Sequence, residues 1–153
     1  NVREGGHILG DEGSGAVLGK HFLSDVLKGL APKEVMADFF EKFRISPNEV
    51  MESVYNRPFP NRFLSTISYF LADYTNDDYV YELITTNLRN FFTRNVCQYD
   101  YKSYPIRFVG SLAYSYALIL REVAGEFGIE LDVIEETPMN GLIEFHSLNI
   151  EEP

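Results

Sequence analysis

The sequence is poor in the features that cross-link a chain or anchor it in a membrane. Cysteine occurs once, as Cys97, so an internal disulfide is excluded, and no second thiol or histidine cluster is spaced to bind zinc with it. No apolar run reaches the ~18 residues of a membrane span. Residues 1–9 lack the basic-then-apolar order of a signal peptide. These absences predict a soluble protein of the reducing cytoplasm.

Positive charge is also scarce. The chain has 13 Lys and Arg residues against 23 Asp and Glu, which gives a formal net charge of −10. Such a surface repels phosphate backbones and anionic lipid headgroups at long range. We therefore expect neither nucleic acid nor a membrane surface as a partner.

What the sequence does contain is enough apolar material for a core. Of its 153 residues, 45% are hydrophobic and 14% aromatic, so burial can offset the entropy lost on ordering. This length predicts one compact domain spanning residues 1–153. Because the chain starts at Asn1 and a glycine-rich segment follows at once, we expect it to be a piece of a longer protein.

The first two thirds of the chain predict mainly helices. Residues 2–9 resemble a short extended segment, and the glycine-rich loop 10–15 (GDEGSG) leads into an amphipathic helix that ends near Gly29. Four further helices are predicted from Pro32 to about Phe43, after the capping box of residues 46–49, over residues 62–73, and from Asn76 to about Val96.

The last third of the chain changes character. Residues 106–109 predict a buried strand, residues 112–127 a helix and residues 129–134 a second strand. This order is a βαβ unit, whose strands run parallel. The fold class is therefore α/β, with a large helical insertion between the first extended segment and the βαβ unit. Residues 141–146 should form a closing helix or turn.

The loop at residues 10–15 is the first candidate site. Its glycines allow a ligand to approach the backbone, and the free amides at the start of the next helix favour a negative or strongly polar group. Asp11 or Glu12 can accept hydrogen bonds from ligand hydroxyls or bind Mg²⁺ through water. The alternative is an ordinary acidic turn with a helix cap.

Gly110 and Ser111 form the second candidate site. They follow the first strand of the βαβ unit, at the edge where parallel sheets bind ligands, and a glycine there lets a flat ring or a phosphate contact the main chain. The alternative is a tight turn with Ser111 as the helix cap.

The remaining reactive residues suggest no site. His7, His21 and His146 have no metal-ligand spacing, and surface or core positions are expected for them. Cys97 is expected to be a packed thiol on an apolar helix.

Three segments together resemble a known family. Residues 8–19 (ILGDEGSGAVLG), 108–113 (FVGSLA) and 138–143 (PMNGLI) resemble the carboxyl-terminal lobe of N-acetylglucosamine kinase-like proteins. These proteins belong to the BadF/BadG/BcrA/BcrD-type ATPase family, within the superfamily of actin, hexokinase and the heat-shock chaperones. The resemblance covers nearly the whole chain, and it implies a ribonuclease H-like lobe.

The resemblance also implies roles for the loop residues. In the superfamily, ATP and Mg²⁺ lie in a cleft between two lobes, and the amino-terminal lobe that carries the phosphate loop and the general base is not in this chain. No catalytic residue and no metal ligand is therefore assigned here. The resemblance places Gly10, Asp11 and Glu12 at the sugar, and it places Gly13, Ser14, Gly15, Gly110 and Ser111 at the nucleotide.

The function implied by the resemblance is phosphoryl transfer from ATP to an amino sugar, by the intact two-lobe protein, and the chain alone is expected to be inactive. Its implied partners are the sugar, the nucleotide and the missing lobe, and a homodimer stays open. Sugar kinases of this family carry Gly-Trp-Gly before the acidic loop, where this chain has residues 4–6 (EGG).

One alternative function is a nucleotide-driven ATPase that activates a partner protein such as a dehydratase. A second is a non-catalytic regulatory domain.

Overall fold

The computed structural model describes residue 3 and residues 5–148 of the chain. The chain divides into two compact units, Asn1–Asp100 and Tyr101–Pro153. A single domain over residues 1–153 stays a prediction, and each unit is described below by itself.

The described part of the first unit is helical throughout. Its elements in chain order are α1 (Gly6–Leu9), α2 (Gly15–Lys28), α3 (Lys33–Phe43), α4 (Pro47–Tyr55), α5 (Pro60–Leu71), a 3₁₀ turn (Ala72–Tyr74), α6 (Asp78–Arg94) and a second 3₁₀ turn (Val96–Gln98).

The local signals in the sequence correctly predicted most of these helix ends. Ser46 and Glu49 form the expected capping box of α4, in which the Ser46 N–H donates to the Glu49 carboxylate at 2.7 Å. Asp77 caps α6 by accepting a hydrogen bond from the Val80 N–H at 3.1 Å. Gly29 ends α2 in the left-handed conformation that a residue without Cβ adopts readily.

The prediction of an extended segment at residues 2–9 is wrong for residues 6–9. Residues 6–9 form one helical turn, α1, which is closed by a hydrogen bond of 2.9 Å from the Gly10 N–H to the Gly6 carbonyl. Gly6 has a φ of 64°, outside the extended region, so the backbone turns at the glycine pair instead of continuing as a strand.

Aromatic side chains form the centre of the first core. Phe22 of α2, Phe39 of α3 and Phe70 of α5 are at most 2% exposed, and their ring centroids lie 5.4 to 6.0 Å apart. Such tilted and edge-on pairs stabilise beyond the area that they bury. Other fully buried side chains of this unit are Leu18, Val50, Ile67, Leu71, Val80, Ile84 and Phe92.

Helix α2 packs closely against α5 and is also joined to α6. Gly19 lies so near the Leu64 carbonyl that an added Cβ would overlap it. The Tyr79 hydroxyl of α6 donates to Asp25 of α2 at 2.8 Å. Burial, together with this hydrogen bond to a carboxylate, raises the pKa of Tyr79, so the neutral phenol stays the donor throughout the physiological pH range.

The second unit contains the predicted βαβ arrangement. Its elements are β1 (Ile106–Val109), α7 (Ser111–Ser115), α8 (Ala117–Glu126), β2 (Leu131–Glu135) and α9 (Met139–Leu148). The two strands pair in parallel, with Ile106 opposite Leu131 and Val109 opposite Glu135. The predicted helix is present but breaks at Tyr116, and the closing segment is helical.

Two details of the second unit differ from expectation. The strand predicted as buried has Ile106 and Phe108 partly covered, while Arg107 and Val109 are exposed, and Arg107 binds Asp132 on β2 at 2.6 Å. In the described residues β1 and β2 are the strands present. Within the described residues, α2–α6 therefore follow the helical turn α1, and not the first extended segment that was predicted to precede the helical insertion.

The mixed helical and strand character with a small parallel sheet is confirmed. Within residues 3 and 5–148, no helix is both long and apolar enough to cross a membrane.

Gly19→Ala should lower the free energy of unfolding by about 1–3 kcal/mol, because the added methyl group meets backbone rather than a side chain that can move. Gly125→Ala is the control: it lies inside α8 with open space around it, and a helical alanine there should stabilise by about 0.5–1 kcal/mol. Urea denaturation followed by circular dichroism measures both. Equal effects of the two changes would contradict the close contact at Gly19.

Candidate functional site

The loop at residues 10–15, called the acidic loop below, lies between α1 and the body of α2 and ends in a helix cap at Ser14. The Ser14 hydroxyl oxygen accepts from the Val17 N–H at 3.1 Å and donates to Asp11 Oδ2 at 2.8 Å. The Ser14 N–H also donates to the Asp11 carbonyl at 3.0 Å. Asp11 has a φ of 71°, a left-handed conformation that aspartate and asparagine tolerate better than most residues. One carboxylate oxygen of Asp11 is thus oriented by Ser14, while the side chain stays exposed.

Asn87 of α6 connects this loop to the helical core. Its Oδ1 accepts from the Gly13 N–H at 3.3 Å, and its Nδ2 donates to the Ser14 carbonyl at 3.2 Å. Asn87 is only 5% exposed, and the two hydrogen bonds satisfy a buried amide whose desolvation would otherwise be costly. The N–H of Gly13 is therefore occupied within the protein.

Gly13 also meets the next residue along that face of α6. It has a φ of 83°, and an added Cβ would lie 2.7 Å from the Phe91 Cβ. Both the backbone conformation and the space around this position require glycine.

Glu12 pairs with the end of α6. Its carboxylate lies 3.1 Å from the Arg94 guanidinium, with the Glu12 side chain 21% exposed and Arg94 67% exposed. The pKa of Glu12 lies below its ordinary value because the carboxylate accepts from its own backbone N–H and is also paired with Arg94. Glu12 is therefore ionised at neutral pH, with part of its charge neutralised.

A cavity of about 710 Å³ opens beside the loop, within the first unit. This volume lies in the range of small-molecule sites, about 300–1,000 Å³. Its lining combines carboxylates, guanidinium groups and amides with a few apolar side chains, a mixture that can bind a ligand with many hydroxyl groups. The lining residues are Arg3, Gly5, Gly6, Leu9, Gly10, Asp11, Glu12, Phe91, Thr93, Arg94, Asn95 and Gln98.

The structure divides the residues of the predicted site into three groups. Gly10, Asp11 and Glu12 line the cavity together. Gly13, Ser14 and Gly15 lie in the same loop but are not part of the cavity lining. Gly110 and Ser111 belong to the second unit.

In the second unit, Gly110 rather than Ser111 occupies the cap position before α7. Gly110 has a φ of 141°, and its N–H donates to the Glu135 carbonyl at 2.8 Å. The interpretation of Ser111 as a helix cap is therefore wrong, because Ser111 is already the first residue of the helix.

The part of the site that α6 provides was not predicted from the sequence. Asn87, Phe91 and Arg94 are spaced by four and three residues, so they lie on one face of the helix. The sequence did carry a signal. The polar residues Asn87 and Arg94 lie four residues before and three residues after Phe91, where they interrupt an apolar face of the predicted helix. Nothing in the sequence indicated that this face would meet residues 12–14.

The remaining reactive residues form no cluster in the described part of the chain. No group of three or more metal-binding side chains is present among those residues. His21 is exposed, while the side chains of His7 and His146 lie outside the described residues. Cys97 is a free, partly covered thiol; it lies in the 3₁₀ turn after α6, not on the helix as predicted.

The likeness to known proteins is to solved structures. No protein-family model matches the chain, and no curated protein matches it. Among solved structures, the chain is similar to a crystal structure named "Putative N-acetylglucosamine Kinase" from Porphyromonas gingivalis, with 40% sequence identity over 97% of this chain and a TM-score of 0.92. This likeness supports a kinase-like family. The chain spans about half, 53%, of the length of the Porphyromonas protein.

Glu12→Gln should lower the free energy of unfolding at pH 7 by up to about 1 kcal/mol, the usual limit for a pair with an exposed partner. The folded-state pKa is depressed, so this stabilisation is present above the unfolded pKa and is lost as the pH falls through the folded-state pKa. Urea denaturation over a series of pH values should therefore show a difference at neutral pH that shrinks as the pH falls through the folded-state pKa.

Glu136→Gln, which removes one negative charge from an exposed glutamate of the second unit, is the matched control for the loss of charge itself. A Glu12→Gln effect that persists unchanged in acid would contradict the role of the charge.

Proposed function

We propose that this chain is the carboxyl-terminal lobe of a two-lobe, actin-like ATPase, and that the intact protein phosphorylates an amino sugar with ATP. The observation that carries the proposal is the likeness to the Porphyromonas protein, at 40% identity over 97% of this chain. The polar cavity beside the Asp11 loop supports it, because its size and lining suit a sugar.

In this proposal Asp11 binds sugar hydroxyl groups. Its Oδ2 already accepts from Ser14, so the carboxylate has a fixed orientation, and no described residue donates to its Oδ1. An ionised carboxylate accepts up to about four hydrogen bonds. Gly10 and Glu12 line the same cavity, and the pairing of Glu12 with Arg94 leaves Asp11 as the carboxylate of the loop without a paired cation in the described residues.

For the nucleotide, the proposal has one feature in each unit, and each is described by itself: the start of α2 in the first unit and the turn after β1 in the second. Gly15 begins a helix of 14 residues, whose first backbone N–H groups favour an anionic group. Ser14 precedes them. In the second unit, we propose by resemblance that Gly110 and Ser111 contact the adenosine. Gly13 donates its N–H to Asn87 Oδ1 and packs against Phe91, so its role in this proposal is to support the acidic loop.

The start of α2 fits a phosphate group of ATP better than it fits a metal ion bound directly. The described residues contain no cluster of metal ligands, so Mg²⁺ would be bound through the nucleotide, water and the amino-terminal lobe. When bound, Mg-ATP supplies the phosphoryl group and neutralises its developing charge. This lobe contributes positioning, and the sugar hydroxyl gives up its proton to a base in the other lobe.

Asp11→Asn tests the proposal in the intact protein that contains this chain. Asparagine tolerates the left-handed backbone of this position, so the change removes the negative charge and keeps the backbone conformation. The KM for the amino sugar should rise by about ten- to a hundredfold, since a hydrogen bond to a charged group contributes about 1.5–3 kcal/mol. Formation of sugar phosphate from N-acetylglucosamine, glucosamine or glucose with Mg-ATP gives the measurement.

Asp73→Asn is the matched control, because it removes the same charge at an exposed pair with Lys42 and should leave KM unchanged. ATP hydrolysis that no sugar stimulates would instead favour the ATPase that acts on a protein partner. The absence of both activities would leave a regulatory domain.

A further inference from the structure

We propose that Asn87 is a positioning residue: its buried amide fixes the backbone of residues 13 and 14, and through Ser14 it sets the orientation of the Asp11 carboxylate. This inference rests on the function proposed for the acidic loop. It adds to the sugar-binding machinery a residue of α6 that lies 73 positions from Ser14 and 74 from Gly13 in the sequence.

The chemistry of the contact is specific to a carboxamide. The loop presents an N–H at Gly13 and a carbonyl at Ser14, and Asn87 meets them with one acceptor and one donor, at 3.3 and 3.2 Å. Only an amide side chain of this length supplies both groups in a fixed geometry. Aspartate has the same shape but only acceptors when ionised, and serine or alanine is too short to reach both groups.

The loop needs such an external contact because its own conformation is costly. Asp11 has a left-handed φ of 71°, and although aspartate tolerates this region better than most residues, a non-glycine residue there still stores some backbone strain. The bonds between Ser14 and Asp11 close the turn but do not attach it to the core. Phe91 packs against Gly13 and Arg94 pairs with Glu12, and Asn87 adds two hydrogen bonds to the loop backbone itself.

The consequence for ligand binding follows from the chain of contacts. Asn87 fixes the Ser14 carbonyl, Ser14 donates to Asp11 Oδ2 at 2.8 Å, and Asp11 lines the cavity. A displacement of about 1 Å at a group that orients a substrate can lower the rate about a hundredfold. Asn87 itself does not line the cavity, so it acts through the loop.

The test compares Asn87→Asp with Thr85→Val in the intact protein. Thr85 is fully buried on the same helix, and among the described residues its hydroxyl donates to the Glu82 carbonyl and accepts from Arg89, both within α6. Both changes disturb a buried polar group of α6, but only the first one touches the loop.

Asn87→Asp should raise the KM for the sugar about tenfold or more and change the KM for ATP less than twofold, while Thr85→Val leaves both unchanged. In the Asp11→Asn background, Asn87→Asp should add less than twofold, because the two residues act through the same carboxylate. If Asn87→Asp and Thr85→Val have equal effects, or if Asn87→Asp and Asp11→Asn are fully additive, the positioning role is wrong.

Hydrogen exchange measured by mass spectrometry separates this inference from the proposed function. Exchange of the segment at residues 10–17 should become at least tenfold faster in Asn87→Asp and stay unchanged in Thr85→Val. This result is expected even if no sugar is phosphorylated, which would overturn the proposed function alone. Unchanged exchange in Asn87→Asp overturns the inference. Should that variant fail to fold, Asn87→Ser, which adds no charge, serves for the same comparison.

Discussion

The close contact between α2 and α5 constrains both the core of the first unit and the position of its candidate site. Gly19 of α2 lies so close to the Leu64 carbonyl of α5 that only the hydrogen atom of a glycine fits between them. One turn further on, Phe22 lies in the aromatic core with Phe39 and Phe70. Because α2 is fixed along its length in this way, its first turn has a fixed position too, and the acidic loop starts from a rigid support.

The loop that precedes α2 has the opposite character, since no apolar side chain of residues 10–14 anchors it in the core. Its backbone bends through left-handed conformations at Asp11 and Gly13. Contacts from one face of α6 compensate for this cost: a buried amide, an aromatic ring and a guanidinium group. In a chain with a net charge of −10, the ion pair from Arg94 also limits repulsion between the neighbouring carboxylates of Asp11 and Glu12.

Local signals in the sequence were sufficient to predict most of the helices. A capping box, a helix-ending glycine and an aspartate cap each act within a few residues, so the pattern and the structure agree at Ser46, Gly29 and Asp77. The signals failed where two local preferences competed. Around Gly6 the apolar residues suggested a strand, but the glycine pair allows a turn, and one helical hydrogen bond decides it. The position of Cys97 depended on where α6 ends, a boundary that periodicity defines poorly.

The sequence by itself determined the acidic glycine loop, the helix that follows it and the parallel strand pair, because each depends on residues that are close in the chain. Only the tertiary structure decided what surrounds the loop. The contacts from Asn87 to Gly13 and from Arg94 to Glu12 span 74 and 82 residues. No local preference encodes such a pair. It forms because packing of the helices brings Asn87 of α6 beside the loop, where its buried amide bonds the Gly13 N–H and the Ser14 carbonyl.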